Sequence, residues 1–128
     1  MIVFDASVLI AHLDATDSHH ERADRLLAAS GNEELAASVV TMAEVLVGPS
    51  RTGTVDRALA ALEQLAVTPV PIERATPVRL ALLRAETGLK LPDCCVLLAA
   101  EESGAAVATF DDRLAGAARS RGIRLFER

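Results

Sequence analysis

Two short apolar runs in this chain each end on an aspartate. Residues 1–4, Met-Ile-Val-Phe, run into Asp5, and residues 105–110 run into Asp111. Each run is a candidate buried strand, and each is followed by a helical pattern. This alternation recurs along the chain and constrains its fold more than any other feature. Residues 6–13 turn helical. A second helix follows, capped by Asp17 or Ser18, with Ala23, Leu26 and Leu27 on one face and a Ser-Gly-Asn stop at residues 30–32. Residues 35–40 read as the second strand and 41–47 as a helix stopped by Gly48-Pro49, with a loop over residues 49–53. Thr54 then caps a helix with Ala58, Leu59, Leu62 and Leu65 in a stripe.

Residues 67–72 read as a third strand. Its Pro69 and Pro71 donate no ladder hydrogen bonds, which places it at a sheet edge. Residues 76–86 form a helix with Val78, Leu82 and Ala85 at core spacing, ending at Gly88. Pro92 and Asp93 open another helix through Glu102, stopped by Ser103-Gly104. After the fourth strand, residues 112–121 are helical to Gly122, and residues 123–126 form a last strand. Strand–helix alternation of this kind means an α/β fold with a parallel sheet and right-handed crossovers.

Size and composition exclude several classes. At 128 residues, with 51% apolar and 24% charged side chains, the chain is one ordinary globular domain that needs no disulfide or metal to fold. Its longest apolar run, residues 94–100, is far short of the roughly 18 that a membrane span requires. No leader pattern precedes Asp5. The adjacent Cys94 and Cys95 have no zinc spacing, read as small core residues, and suit a reducing cytoplasm. The net charge of −5 and pI near 5.1 exclude a polybasic nucleic-acid coat. If four carboxylates are gathered as metal ligands, however, the rest of the chain is nearly neutral. Net charge therefore leaves a metal-dependent nuclease open.

Four acids hold equivalent places in this reading. Asp5 and Asp111 close the first and fourth strands, Glu44 lies in the first turn after strand two, and Asp93 lies at the start of the helix leading to strand four. In an open parallel sheet, ligands bind beyond the carboxyl ends of the strands where the strand order reverses. In a 3-2-1-4-5 order, that crevice lies between Asp5 and Asp111, with Glu44 and Asp93 beside it. An oxygen-only cluster suits Mg²⁺ or Mn²⁺. Each acid also has a purely structural reading: Asp5, Asp93 and Asp111 as helix caps, and Glu44 as a first-turn acid favoured by the helix dipole. Ser7 is placed to bond an acid or a metal-bound water, Thr109 to support Asp111, and Arg113 to meet a substrate phosphate. Asp112 competes with Asp111, and strand parity favours Asp111. His12, His19 and His20 have no two-histidine metal spacing, and the last two read as a polar helix start.

The motifs that carry these acids resemble those of the PIN-domain ribonucleases, and among them the VapC toxins of bacterial toxin–antitoxin pairs. Val3-Phe4-Asp5-Ala6-Ser7-Val8-Leu9-Ile10 is similar to the family's first motif, and Thr41-Met42-Ala43-Glu44-Val45 to its second. Leu91-Pro92-Asp93-Cys94-Cys95-Val96-Leu97-Leu98-Ala99 matches the third, and Ala108-Thr109-Phe110-Asp111-Asp112-Arg113-Leu114 the fourth. The likeness runs from residue 1 to about residue 126, so residues 1–128 are read as one PIN domain. The resemblance implies a five-stranded parallel sheet in the order 3-2-1-4-5, flanked by helices. It also implies cleavage of RNA with Mg²⁺, or Mn²⁺ in its place, by a cytoplasmic homodimer that a cognate VapB-like antitoxin inhibits. Carried over, Asp5, Glu44, Asp93 and Asp111 become the catalytic and metal-binding acids, with Ser7 and Thr109 as supporting hydroxyls.

Three other readings compete. A PIN-fold binding module without activity is opposed by the complete acid set. A phospho-accepting receiver needs an early acidic pair and a late lysine. Asp5 and Asp14 are not adjacent here, and the sole lysine, Lys90, closes no late strand. A haloacid-dehalogenase-type phosphatase needs a second aspartate two residues after the first, where this chain has Ser7.

Overall fold

The structure, a computed structural model, describes the chain from Met1 through Glu127. Its centre is a parallel sheet of β1 (Ile2–Phe4), β2 (Leu35–Ser38), β3 (Thr68–Val70) and β4 (Ala106–Ala108), ordered β3-β2-β1-β4. β1, β2 and β4 are buried throughout, because both faces of the sheet are covered. Ile2 and Phe4 point into one apolar cluster and Val3 into the other, as the two-residue period of a strand requires. The first cluster is closed by α1 (Ala6–Leu13), α2 (His20–Ala29), α3 (Val39–Thr52) and α4 (Val55–Gln64). The second is closed by α5 (Thr76–Thr87), α6 (Leu91–Ser103) and α7 (Asp112–Ser120). No described helix is long and apolar enough to cross a membrane.

Four departures from the sequence reading have local causes. The expected fifth strand is reduced to one bridge, Val107 to Leu125. Val107 N–H donates to the Arg124 carbonyl at 2.9 Å, and Phe126 N–H donates to the Val107 carbonyl at 2.8 Å. Beyond Ala108 the backbone turns toward α7, so residues 123–126 find no longer partner strand; they do lie beside β4, where a fifth strand belongs.

The α3 helix runs through Gly48-Pro49 instead of stopping there. Pro49 costs that helix one backbone hydrogen bond, and the real stop is Gly53, at φ 74° in the left-handed region, with its N–H on the Pro49 carbonyl. The earlier start of α3 moves Glu44 into the second turn. In α5, Val78, Leu82 and Ala85 face solvent while Thr76 and Leu83 are buried. This helix packs on α6 alone over much of its length, so it buries a narrower stripe than the spacing suggested. Finally, α2 and α4 start at His19 and Thr54 without side-chain caps. Asp17 instead accepts the His19 N–H at 2.8 Å in the preceding turn.

β3 lies at the edge, as Pro69 requires, with Pro69 in register with Ala37, while Pro71 falls just past the strand, which is shorter than residues 67–72. Between β1 and β4 the strand order reverses, so the crevice at their carboxyl ends is the topological switch point of the sheet.

Candidate active site

Asp5 is the residue just past β1 and the cap of α1. It is the most buried of the four acids, 6% exposed. A buried carboxylate needs hydrogen-bond donors, and the chain supplies three. Ala6 N–H donates to Oδ1 at 2.8 Å, and the Ser7 and Thr109 hydroxyls donate to Oδ2 at 2.8 and 2.7 Å. The two hydroxyl oxygens accept in turn: Phe110 N–H donates to Ser7 Oγ at 3.0 Å and Asp111 N–H to Thr109 Oγ1 at 3.0 Å. With the Asp5 N–H on the Ala108 carbonyl at 2.9 Å, this network stitches the end of β1 to the end of β4. Thr109 therefore directs its proton to Asp5, and supports Asp111 only through that residue's backbone.

Asp111 caps α7, its Oδ1 accepting from Arg113 N–H at 2.8 Å and Leu114 N–H at 3.1 Å. The capping reading thus holds for Asp5 and Asp111 as well, and capping aims both carboxylates at the sheet edge. It fails for Asp93: Lys90 is the cap of α6, and Asp93 lies in the first turn, half-buried. Burial pushes the Asp93 carboxyl above its ordinary range, and the charges of Asp5 and Asp111 push it further, against a smaller opposing pull from Lys90 and Arg113. Burial likewise raises Glu44, with Asp5 and Asp93 adding to it. Asp93 therefore feels the charges of Asp5 and Asp111, and Glu44 those of Asp5 and Asp93, whereas Asp112, exposed at the start of α7, is not among the groups that shift Asp93.

This donor set is all oxygen and fits a hard divalent cation. Among the described residues, no three carboxylate, imidazole or thiol side chains form a ready-made metal cage. Oxygen donors without thiolate or imidazole are of the kind that suits Mg²⁺ or Mn²⁺ rather than zinc. Arg113 is exposed on α7 and lines an open cavity of about 480 Å³ with Glu86, Leu89 and Arg121. The histidines make other contacts. His12 Nδ1 bonds Asp24 at 2.7 Å and His20 Nδ1 bonds the Ala11 carbonyl at 2.7 Å, while His19 lies against the Phe110 ring. Cys94 and Cys95 are buried and free, and burial raises both thiols. Sequence reasoning missed Arg22, whose guanidinium lies over Phe110 at 4.4 Å. Only the fold brings together residues so far apart in the chain.

The PIN-domain family model matches residues 2–120. No curated protein matches the chain. Among solved structures, the chain is similar to a toxin–antitoxin complex from Klebsiella pneumoniae, at 28% identity over 91% of this chain and 92% of that one, with a TM-score of 0.76. FitAcB from Neisseria gonorrhoeae has a TM-score of 0.74 at 21% identity, over 99% and 97% of the two chains. VapC20 of Mycobacterium tuberculosis, a toxin that cleaves the sarcin–ricin loop, has a TM-score of 0.67 at 21% identity, over 91% and 95%. The last two likenesses establish a shared fold.

Proposed function

The chain belongs to the PIN-domain family, and from that premise we propose that it is a metal-dependent endoribonuclease, the VapC-like toxin of a toxin–antitoxin pair. One observation carries the reading. At the switch point of the sheet, a buried Asp5 is held by two hydroxyls beside Asp93 and Glu44, whose carboxyls are raised partly by neighbouring negative charge. Such crowding is costly in a protein that serves only its own stability, and it suits a site that receives a cation.

Asp5, Glu44, Asp93 and Asp111 would hold Mg²⁺ or Mn²⁺, Asp5 and Asp93 most directly. Bound there, the ion would supply Lewis-acid polarisation of an RNA phosphodiester and a water of lowered pKa. Ser7 and Thr109 keep Asp5 in one orientation. Thr109 also ties the Asp111 backbone to the same network. None of the three histidines hydrogen bonds to the four acids, so an imidazole base has no part in this reading. Arg113, whose charge reaches Asp93, would meet a flanking phosphate. The partners are an RNA substrate, a cognate VapB-like antitoxin and a second copy of the chain; the similar structure from Klebsiella pneumoniae is itself a toxin–antitoxin complex.

The test is cleavage of total bacterial RNA by antitoxin-free protein with Mg²⁺, Mn²⁺ or EDTA, beside Asp5→Asn. Discrete cuts that vanish with EDTA and with the variant are expected. A folded protein that neither cuts nor binds metal would instead be an inactive binding module.

A further inference from the structure

The acid site repels the phosphates of any RNA strand that enters it, so the strand needs cations at the rim. Phe110 lies between Thr109 and Asp111, and its N–H is fixed on Ser7 Oγ, one hydrogen bond from Asp5. Its half-buried ring packs against the core on the α1–α2 side. On that ring lies the Arg22 guanidinium, 4.4 Å from the centroid, and His19 packs against the same ring at 5.2 Å with a 41° tilt. Phe110 and Asp111 are adjacent in the chain, their Cα atoms about 3.8 Å apart, so the guanidinium stands within about a dozen ångströms of the acid site.

Arg22 is also free to bind. Among the described residues it pairs with no carboxylate. Asp24, two positions along α2, faces His12 at 2.7 Å and His20 at 3.4 Å instead. Arg121 makes the contrast, engaged by both Glu86 and Glu101. Stacking on an aromatic ring uses the flat face of a guanidinium and leaves its N–H edges open, the edges that grip a phosphate in bidentate fashion. We propose that Arg22, seated on the Phe110 ring, binds a backbone phosphate of the RNA strand next to the acid site. This inference rests on the ribonuclease reading.

The experiment measures binding of a short, mixed-sequence, fluorescein-labelled single-stranded RNA across a salt series with Mg²⁺. The protein carries Asp5→Asn to prevent cleavage, alone or with Arg22→Gln or Arg22→Lys, and thermal melts accompany each variant. Arg22→Gln should weaken binding roughly tenfold and lower the slope of log affinity against log salt by about 0.7, the value for one single-strand phosphate. Arg22→Lys should restore most of that slope, and the melts should coincide. Unchanged affinity and slope in Arg22→Gln, with the unaltered chain still cutting RNA, would overturn this inference and leave the nuclease standing. Weaker binding at unchanged slope, unrescued by lysine, would mean a packing role and overturn it too. If the unaltered chain neither binds nor cuts RNA, both readings fall.

Discussion

The two sides of the acid site are built on opposite principles. On the β1–β4 side, Asp5 and Asp111 receive five protein hydrogen bonds between them, from Ala6, Ser7, Thr109, Arg113 and Leu114. On the α3–α6 side, Glu44 and Asp93 receive none among the described residues, and both carboxyls are raised by burial and by neighbouring acids. The first pair is satisfied by the fold as it stands. The second pair receives no such bond, and its charge is disfavoured by burial and by neighbouring acids. In the proposed function, position and demand for an ion are thus divided between different residues of one site.

Removing one acid from each side breaks this comparison most sharply. Asp5→Asn and Asp93→Asn should each lower RNA cleavage on the order of a hundredfold to a thousandfold, as expected for loss of one charge that stabilises the transition state. Their stabilities should move in opposite directions. Asp5→Asn turns an amide toward hydroxyls that now donate to a carboxylate, and should lose about 1–3 kcal/mol in denaturant titrations. Asp93→Asn removes a half-buried charge, and should melt higher than the parent in EDTA at neutral pH. The sign follows from linkage. A carboxyl raised above its ordinary 3.8 binds its proton more tightly in the folded chain than in the unfolded one. The folded state is thus favoured at low pH, and that advantage is lost as pH rises from the ordinary value through the raised one. At neutral pH the whole penalty is present, and the amide abolishes it. If both variants lose stability, the two sides are alike and the distinction fails.

The hydroxyls sharpen the picture at a smaller scale. Ser7→Ala should lower cleavage about 10–100-fold, the usual effect of losing a group that orients a ligand, with less loss of stability than Asp5→Asn. Thr109→Val should do more, since the N–H it strips of its acceptor is that of Asp111, one of the four acids, whereas Ser7→Ala strips that of Phe110. Thermal melts with Mg²⁺ should show stabilisation of about 2.7 kcal/mol when the ion is at a hundred times its Kd. Asp93→Asn should remove most of that gain, and Ser7→Ala only part of it. Equal loss in both would argue that the hydroxyl-bound side, not the unpartnered side, holds the ion.

How much of this was legible in the sequence varies with the range of the interaction. Asp5 and Asp111 could be read because a short buried strand followed by an aspartate is a local signal, and the alternation of elements decides which sheet edge they share. The outer edge of β3 was equally legible, since Pro69 states it directly. Ser7 could be singled out, but not its bond to Phe110 N–H, 103 residues away. A comparable separation along the chain hid the seat of Arg22 on Phe110. Pro49 misled because a proline marks a local cost, while α3 is held by its buried face and by Gly53. Val78 and Leu82 misled because helical spacing says which residues share a face, not whether another element covers it. The missing length of the fifth strand belongs to this class too: residues 123–126 have strand composition, but β4 turns away after Ala108 and offers only Val107.

The smallest expected effect concerns Arg113, and it separates two ways in which a cation can serve this site. Its charge, with that of Lys90, opposes the upward push on Asp93. Arg113→Ala should therefore raise Asp93 further, and the acidic limb of the cleavage rate should move to higher pH, because cation binding must displace a more tightly held proton. Arg113 is exposed, so the shift should shrink as salt rises and screens the pair. Contact with a substrate phosphate would act differently, raising KM at every pH with no movement of the limb. A pH series for kcat and KM at low and high salt distinguishes the two. Movement of the limb alone would make Arg113 a residue that tunes the unpartnered side, and leave the phosphate to Arg22.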